Sequence, residues 1–559
     1  MNDNNSMTDA KTSERLSDNK KLEFQWKSID WNKAEKEVNR LQARIVKATQ
    51  QKDWNSVKKL QYLLTHSFYA KALAVKRVTT NAGKKTAGVD GVLWETPAIK
   101  MKAVLSLTDK GYKASPLRRV YIAKKDKKKK RPLGIPTMYD RAMQALYALS
   151  LDPVSEATAD RYSFGFRKGR CAQDACEYAF TFLARKVSPQ WVLEGDIKGC
   201  FDHISHDWLL ENIPMDKSVL KQFLKAGFVF NEELFPTDEG TPQGGVISPI
   251  LANMALDGIA NVIREKYYLS QKGVESEFVR NQTLINFVRY ADDFIITAKT
   301  KEIALEVKEL IRDFLATRGL ELSDEKTVVT HINDGFDFLG WTFRKFNGKL
   351  IVKPSKKSMK AIVSKLSETI NKRGKAWNQD VLIMKLNQQI RGWTNYHQSV
   401  VASEAFAHLD YVLYELLWHW ATRRHPKKGK WWISTKYWHR VGSRNWVFST
   451  ENNELIRVDH TTIVRHRKVN TTKNPYLDLE YFAQRKFNQG MARLTGKFRM
   501  IWRNQDGRCY HCGMPLDIKE DREIFFKVPK CLGGEEVVPN MAYVHTSCQR
   551  LFVESRSKE

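Results

Sequence analysis

Along this chain the apolar positions change period several times, and each change marks an element. Between Trp31 and about Val78 they recur at three- and four-residue steps (Val38, Leu41, Ile45, Val46, then Val57, Leu60, Leu63, Leu64), which predicts two amphipathic helices. The loop TTNAGKKTAGVDG follows at 79–91; its GKKT lacks the glycine that a phosphate-cradling loop carries five residues earlier, so it reads as a connection. PLRRVYIAKKDKKKKRPLGIP (116–136) alternates like a strand, a lysine-rich tip and a return strand, which puts Lys124, Lys127 to Lys130 and Arg131 on a hairpin. In DRAMQALYALSLDPVSEATAD the period turns helical, with Met143, Leu146, Leu149 and Leu151 on the apolar face. WVLEGDIKGCFDHISHDWLL (191–210) predicts a strand ending near Asp196 and then a helix, and GTPQGGVISPILANMALDGI (240–259) a glycine-rich loop feeding a long helix. Ile285 to Tyr290 and Phe294 to Thr297 read as two strands flanking Asp292 and Asp293. From 356 to 425 helical periodicity dominates (Met359, Ile362, Leu366, Ile370; Leu382, Leu386, Ile390), predicting a separate bundle after an α+β core.

Two segments fall outside this patterning. The first 21 residues, MNDNNSMTDAKTSERLSDNKK, are polar and Asn/Ser-rich, and are expected to be disordered, without the apolar core of a signal peptide. Nowhere do 18 apolar residues run together, and the most apolar helical stretch, YVLYELLWHWA, is interrupted by Glu415 and His419, so no membrane span is expected. Charge then changes the picture. With 93 Lys+Arg against 63 Asp+Glu the chain carries a formal +30, far beyond what solubility asks of a small domain, and a polyanion such as nucleic acid is the partner that excess suits. Of the 7 cysteines, Cys509, Cys512, Cys531 and Cys548 cluster at the C-terminal end, which suits a local metal module in a reducing compartment better than a disulfide framework.

The chemistry with the most specific demand on this pattern is two-metal phosphoryl transfer, in which two Mg²⁺ about 4 Å apart are held by carboxylate oxygens. Asp292 and Asp293 on a tight hairpin supply one side, and Asp196 at the end of a neighbouring strand, with the carbonyl of Ile197 beside it, supplies the other. Phe201 stands where a ring would pack on the sugar of an incoming nucleotide, or alternatively is a core aromatic. Near the C-terminus, Cys509 and Cys512 in RCYHCG and His545 and Cys548 in VHTSC share the two-residue gap of a tetrahedral Zn²⁺ site, with Cys531 the rival to His545.

Five blocks in order, KKRPLGIP (129–136), GFRKGR (165–170), DIKGCFD (196–202), GTPQGG (240–245) and YADD (290–293), resemble those of a reverse transcriptase, specifically of the group II intron-encoded proteins. GLELSDEKT, GFDFLGWTF, LNQQIRGWTNYHQ and WHWATRRHPKKGKWWISTKYW extend the similarity to about residue 30 through the C-terminus. The resemblance implies a right-hand polymerase: a disordered 1–25, an N-terminal helical extension on RNA (26–85), fingers (86–190), palm (191–350), an α-helical thumb or maturase domain (351–440), a DNA-binding region (441–505) and a small zinc-bound ββα module of HNH type (506–552). It assigns Lys124 and Arg131 to the nucleotide's phosphates, Gln243 to template and nucleotide, Arg391 to RNA phosphate, and Trp393 and Tyr396 to RNA stacking or, for Trp393 above all, to packing. Implied partners are intron RNA, target DNA and dNTPs. The implied setting is a bacterial cytoplasm, at the nucleoid when on DNA, or an organelle.

One departure stands out. In such modules a His-His or Asp-His pair precedes the Ile-Pro segment and a His follows the last cysteine, whereas this chain has Phe525, Phe526 and Gln549, keeping only Asn540. Phenylalanine neither takes a proton from water nor ligates Mg²⁺, so a zinc fold without strand cleavage is expected. Two rival readings are an RNA-binding splicing factor without polymerase activity and a free-standing reverse transcriptase with another task, such as phage defence.

Overall fold

The computed structural model describes residues 18–123, 130–231, 233–242, 244–518, 522–546 and 548–549. Lys124, Lys127 to Lys129, Gln243 and most of the polar N-terminal tail lie outside them, and Arg131 is placed by its backbone alone.

Where periodicity predicts two N-terminal helices there are three, Trp31–Gln50, Trp54–His66 and Phe68–Thr80. The divisions are local: the Asp53 carboxylate accepts from the Ser56 N–H and starts the second helix, and Ser67 in extended backbone ends it. All three pack on the helix Met138–Thr158, into which Gln42 donates a hydrogen bond at the Leu149 carbonyl (2.7 Å). The basic hairpin is present as Leu117–Ala123 paired antiparallel with Lys130–Ile135, Ala123 facing Lys130. Phe228–Phe230 and Glu233–Phe235 complete a four-stranded sheet.

A second four-stranded sheet has the order Asn286–Tyr290, Asp293–Ala298, Trp191–Asp196, Val328–His331, antiparallel throughout. Its strands read as near-continuous apolar runs because both faces are covered. Leu193, Phe287 and Ile296 join the core of the N-terminal and palm helices; their neighbours Val192, Val288 and Ile295 join a second core that runs into the thumb. A three-stranded meander, Phe336–Phe338, Trp341–Phe346 and Lys349–Pro354, leads to the thumb helices Lys356–Glu368, Gln379–His397, Ser403–Arg424 and Lys430–Tyr437.

Two predicted helices are broken. The one after Asp196 is divided into Cys200–His203 and His206–Asn212, the Ser205 hydroxyl accepting from the Trp208 N–H to cap the second. The long helix after the glycine-rich loop stops at Leu256 and resumes at Ile259, because Gly258 takes a left-handed φ of 105°. Beyond the thumb, a strap over 449–478 leads to helices Leu479–Arg493 and Gly496–Asn504 and to the pair Arg522–Phe526 and Met541–His545. That last unit has its own core, Trp502 with Leu516, Phe525 and Val544, which reaches back to Phe487. Among the described residues no helix is long and apolar enough to cross a membrane.

Candidate active site and candidate metal centre

The three carboxylates singled out in the sequence meet at one end of the palm sheet. Asp293 opens its strand and lies opposite Tyr290 on one side and Asp196 on the other. The turn is therefore Ala291–Asp292, tighter than the two runs suggest, and Ala291 takes φ 58°, a conformation rare for a residue with a Cβ. Its surroundings over-determine it. The fully buried Arg289 donates from Nη1 to the Ala291 carbonyl (3.3 Å) and to Asn253 Oδ1 (3.2 Å), and its other nitrogen is paired with Asp257. The Asn253 amide in turn donates to the Gly165 carbonyl (2.9 Å), and Gly165 lies so close that a Cβ there would be 2.2 Å from the Ala291 nitrogen. GFRKGR and YADD, 120 residues apart in the chain, are one piece of backbone packing.

This buried clamp is what reading the sequence misses. Its one legible signal is the Asp257-Gly258 step that breaks the helix and aims Asp257 at Arg289.

Electrostatics at the turn ask for a cation. Asp293 is reachable by water, yet protein around it desolvates the carboxyl, Asp292 and Asp196 repel its charge, and the group rises to about 6 despite Lys326 and Lys357. Lys326, from the SDEKT block, places Nζ 2.7 Å from Asp196 Oδ2, an ammonium standing where oxygen ligands converge. The Ile197 backbone follows directly on Asp196. Its bridge to Leu322 is made by Lys198 N–H to Glu321 O (3.0 Å) and Ser323 N–H to Asp196 O (2.8 Å), which leaves the Ile197 carbonyl outside that bridge. Hard oxygen donors converging at one place fit Mg²⁺.

Phe201 is half-buried on the short helix after Gly199, its ring edge-on to the exposed Phe166 at 6.1 Å, so both readings of it touch this cleft. Gly244 comes against the return strand of the basic hairpin, a Cβ there meeting the Gly134 carbonyl at 2.9 Å, and so brings the GTPQGG loop to the fingers. The thumb residues divide. Arg391 is exposed; Trp393 donates its indole N–H to Ser358 Oγ (3.2 Å) and packs edge-on to Phe406, and Tyr396 stacks on the buried Trp341 (4.6 Å, 3°) with its hydroxyl on the Leu339 carbonyl (2.8 Å). Tyr396 joins the thumb to the palm, whereas Trp393 packs within the thumb.

At the C-terminus the ligand atoms of Cys509, Cys512, His545 and Cys548 all lie within 4.8 Å of one another, while Cys531 is exposed and apart from that group. His545 Nδ1 is 3.3 Å from Cys512 Sγ and 3.9 Å from Cys548 Sγ. Burial opposes a charge on His545, but the Cys509 and Cys512 sulfurs outweigh it and lift the imidazole to about 10. Three thiols and an imidazole this close fit one tetrahedral soft-ligand cation.

Phe525 is buried in its strand opposite Ala542 and stacks on Tyr510 (6.1 Å), and Phe526 lies under Lys530. Asn540 is spent on structure: its amide donates to the Val528 and Glu535 carbonyls and its oxygen accepts from the Val528 N–H. Gln549 is half-buried.

Three stretches of the chain match known families. Residues 122–343 match the reverse transcriptase (RNA-dependent DNA polymerase) family, 26–107 the N-terminal domain of reverse transcriptase, and 359–438 the group II intron maturase-specific domain. The chain is 30% identical over 444 residues to the group II intron-encoded protein LtrA of Lactococcus lactis subsp. cremoris, covering 63% of this chain and 72% of that protein. It is 32% identical over 301 residues to protein YkfC of Escherichia coli (strain K12), 48% of this chain and 78% of that one, and 25% identical over 382 residues to maturase-like protein 1 of Euglena gracilis, 66% and 76%. With a polymerase domain, a maturase-specific domain and this degree of identity, the chain belongs to the group II intron-encoded proteins and is an RNA-directed DNA polymerase with maturase function.

Proposed function

We propose that Asp196, Asp292 and Asp293, with the Ile197 carbonyl, hold the two Mg²⁺ of the polymerase, and that the chain copies its own intron RNA into DNA during insertion at a DNA target. The observation that carries this is the register of the palm sheet, which sets Asp196 opposite Asp293 beside the Ala291–Asp292 turn. When bound, the ions activate the primer 3′-OH and neutralise the triphosphate. The chain's own residues do the rest. Arg289 and Gly165 keep the turn fixed, and Lys326 neutralises Asp196 between turnovers. Phe201 packs on the sugar and excludes a 2′-OH, Lys124 and Arg131 receive the phosphates of the dNTP, and Gln243 lies against the template. In the thumb, Arg391 takes RNA phosphate, Trp393 packs the thumb's own helices, and Tyr396 sets the angle at which the thumb meets the palm. The domain limits follow the blocks as given above, and a cytoplasmic setting agrees with the Lactococcus relative.

Two assays on one preparation test this: extension of a DNA primer on an RNA template with Mg²⁺, and splicing of the flanking intron at near-physiological Mg²⁺. Both are expected to depend on the protein. Splicing without extension leaves an RNA-binding splicing factor; extension without any effect on splicing leaves a free-standing reverse transcriptase.

We further propose that the Cys509, Cys512, His545 and Cys548 cluster binds structural Zn²⁺ in an HNH-like module that contacts DNA without cutting it. Support comes from Phe525 packed into the module's core and Asn540 engaged in its loop. Supercoiled target DNA incubated with the ribonucleoprotein is expected to stay unnicked on the bottom strand. Cleavage that Cys512→Ser abolishes and Asp292→Ala does not would sink the idea.

A further inference from the structure

Where the first thumb helix, Lys356–Glu368, faces the third, Ser403–Arg424, a cavity of about 530 Å³ opens to the surface. Small-ligand sites span about 300–1,000 Å³, so it is large enough to receive one. Met359, Val363 and Val401 give it an apolar lining, and His408 stands on the far wall. Lys356 and Lys360, one turn apart, are exposed on its rim and face no carboxylate partner among the described residues. The acid in the lining, Glu404, is already held by Lys353 at 2.8 Å.

An apolar slot with two uncommitted ammonium groups at its mouth suits a ligand that is flat and apolar at one end and anionic at the other. A thioether and an imidazole both favour an aromatic ring over an aliphatic chain, and lysines at the mouth favour phosphate. Bases paired in a duplex stay stacked and cannot enter a side cavity, whereas loops and bulges of a folded RNA present bases that can.

We propose that this cavity is a nucleotide pocket that captures one unpaired base of the intron RNA, with the base against Met359, Val363 and Val401 and the flanking phosphates on Lys356 and Lys360. The inference rests on the reading that this chain binds its intron RNA, and it deepens that reading: the maturase-specific region, 359–438, contains the cavity's floor and its His408 wall.

The test uses full-length protein and the intron RNA, with binding measured across a salt series. Val363→Trp fills the cavity; Lys356→Ala with Lys360→Ala strips the rim. Filling is expected to weaken intron RNA binding about tenfold, the worth of one stacked base, with no change in the slope of log K against log salt. Stripping is expected to reduce that slope by about 1.4, for two phosphates on a single strand, and Lys→Arg at both positions restores it. Neither variant should change binding of a fully paired RNA duplex or primer extension on a generic RNA template. In wild type, 4-thiouridine placed in the intron RNA should cross-link to the peptide carrying Met359 or His408.

Wild-type affinity in a Val363→Trp protein of unchanged melting temperature overturns the pocket, and so does an equal loss on duplex RNA, or failure to cross-link together with an unchanged salt slope in the lysine variant. If wild type shows no preference for the intron RNA over an unrelated RNA of equal length, the RNA reading itself has failed, which is a different result from either of these.

Discussion

Asparagine at position 293, or at 196, is expected to lower RNA-templated primer extension by about a thousandfold or more. Ligands to a catalytic Mg²⁺ carry several kcal/mol of transition-state charge stabilisation, and each 1.4 kcal/mol is tenfold in rate. The shape of the site is retained, since an amide replaces a carboxylate of the same size. Stability separates the proposed role from a merely structural one. Asp293 titrates at about 6 in the fold, above the ordinary carboxylate range, because of desolvation and then its neighbours Asp292 and Asp196. The sign follows from linkage: a carboxyl raised by folding favours the fold while protonated, and that contribution is lost as pH rises through about 6. At pH 7.5 in EDTA the ionised Asp293 therefore opposes folding, and Asp293→Asn should melt at the same temperature as wild type or above it. A variant that melts lower and loses extension in proportion would make the residue a strut and not a ligand. Intron RNA binding, which uses other surfaces, should stay within about threefold, a change of under 1 kcal/mol.

Removing metal from the C-terminal centre should be the other large effect. Structural zinc sites carry apparent binding energies of about 10–16 kcal/mol, comparable to or greater than the roughly 5–15 kcal/mol that holds a whole domain folded. The unit around Trp502, Leu516 and Val544 is small and has its own core, so its fold depends on the four ligands. Elemental analysis of purified protein should give about one zinc per chain. A strong chelator, or Cys512→Ser, should release it and open the chain after about residue 506 to protease, while primer extension continues on the separate palm core. Protein that resists protease equally with and without the metal would refute the structural zinc.

How far these sites were legible depends on the range of the forces that build them. The palm hairpin, the basic hairpin and the strand ending at Asp196 were readable because alternation is a local property that a sheet buried on both faces preserves. Cys509, Cys512, His545 and Cys548 were readable from spacing, and the choice of His545 over Cys531 is what the strand pairing of Arg522–Phe526 with Met541–His545 explains, by bringing the second pair onto the knuckle. Helix ends were less legible. Ser67, Ser205 and Gly258 each stop or start a helix inside a run whose apolar period continues, so local backbone and one left-handed glycine overrode the pattern. Least legible was the clamp beneath YADD, because Arg289, Asp257, Asn253 and Gly165 have no shared spacing and meet only through tertiary packing. Trp393 and Tyr396 illustrate the same limit: as letters they suit RNA or core, and only the stack on Trp341 and the bond to Ser358 show what their rings touch.

The strap that follows the thumb has a consequence for how such a chain can be shortened. Asp174, wholly buried at the start of the helix Ala172–Leu183, is paired with His466 (2.9 Å) and Arg485 (2.6 Å), both contributed by residues beyond the thumb. Burial opposes its charge, but those two partners prevail and hold the carboxyl down at about 2. Nearby, Tyr178 donates to the Val469 carbonyl (2.8 Å) and Tyr476 is bonded to Asp152. A chain cut at residue 440, where the order of blocks invites the cut, would keep the acid and discard both of its counter-charges together with the Val469 N–H that bonds it. Any descendant that sheds the region beyond residue 440 would have to replace Asp174 as well, so one buried acid acts as a molecular ratchet, tying the C-terminal region to the polymerase.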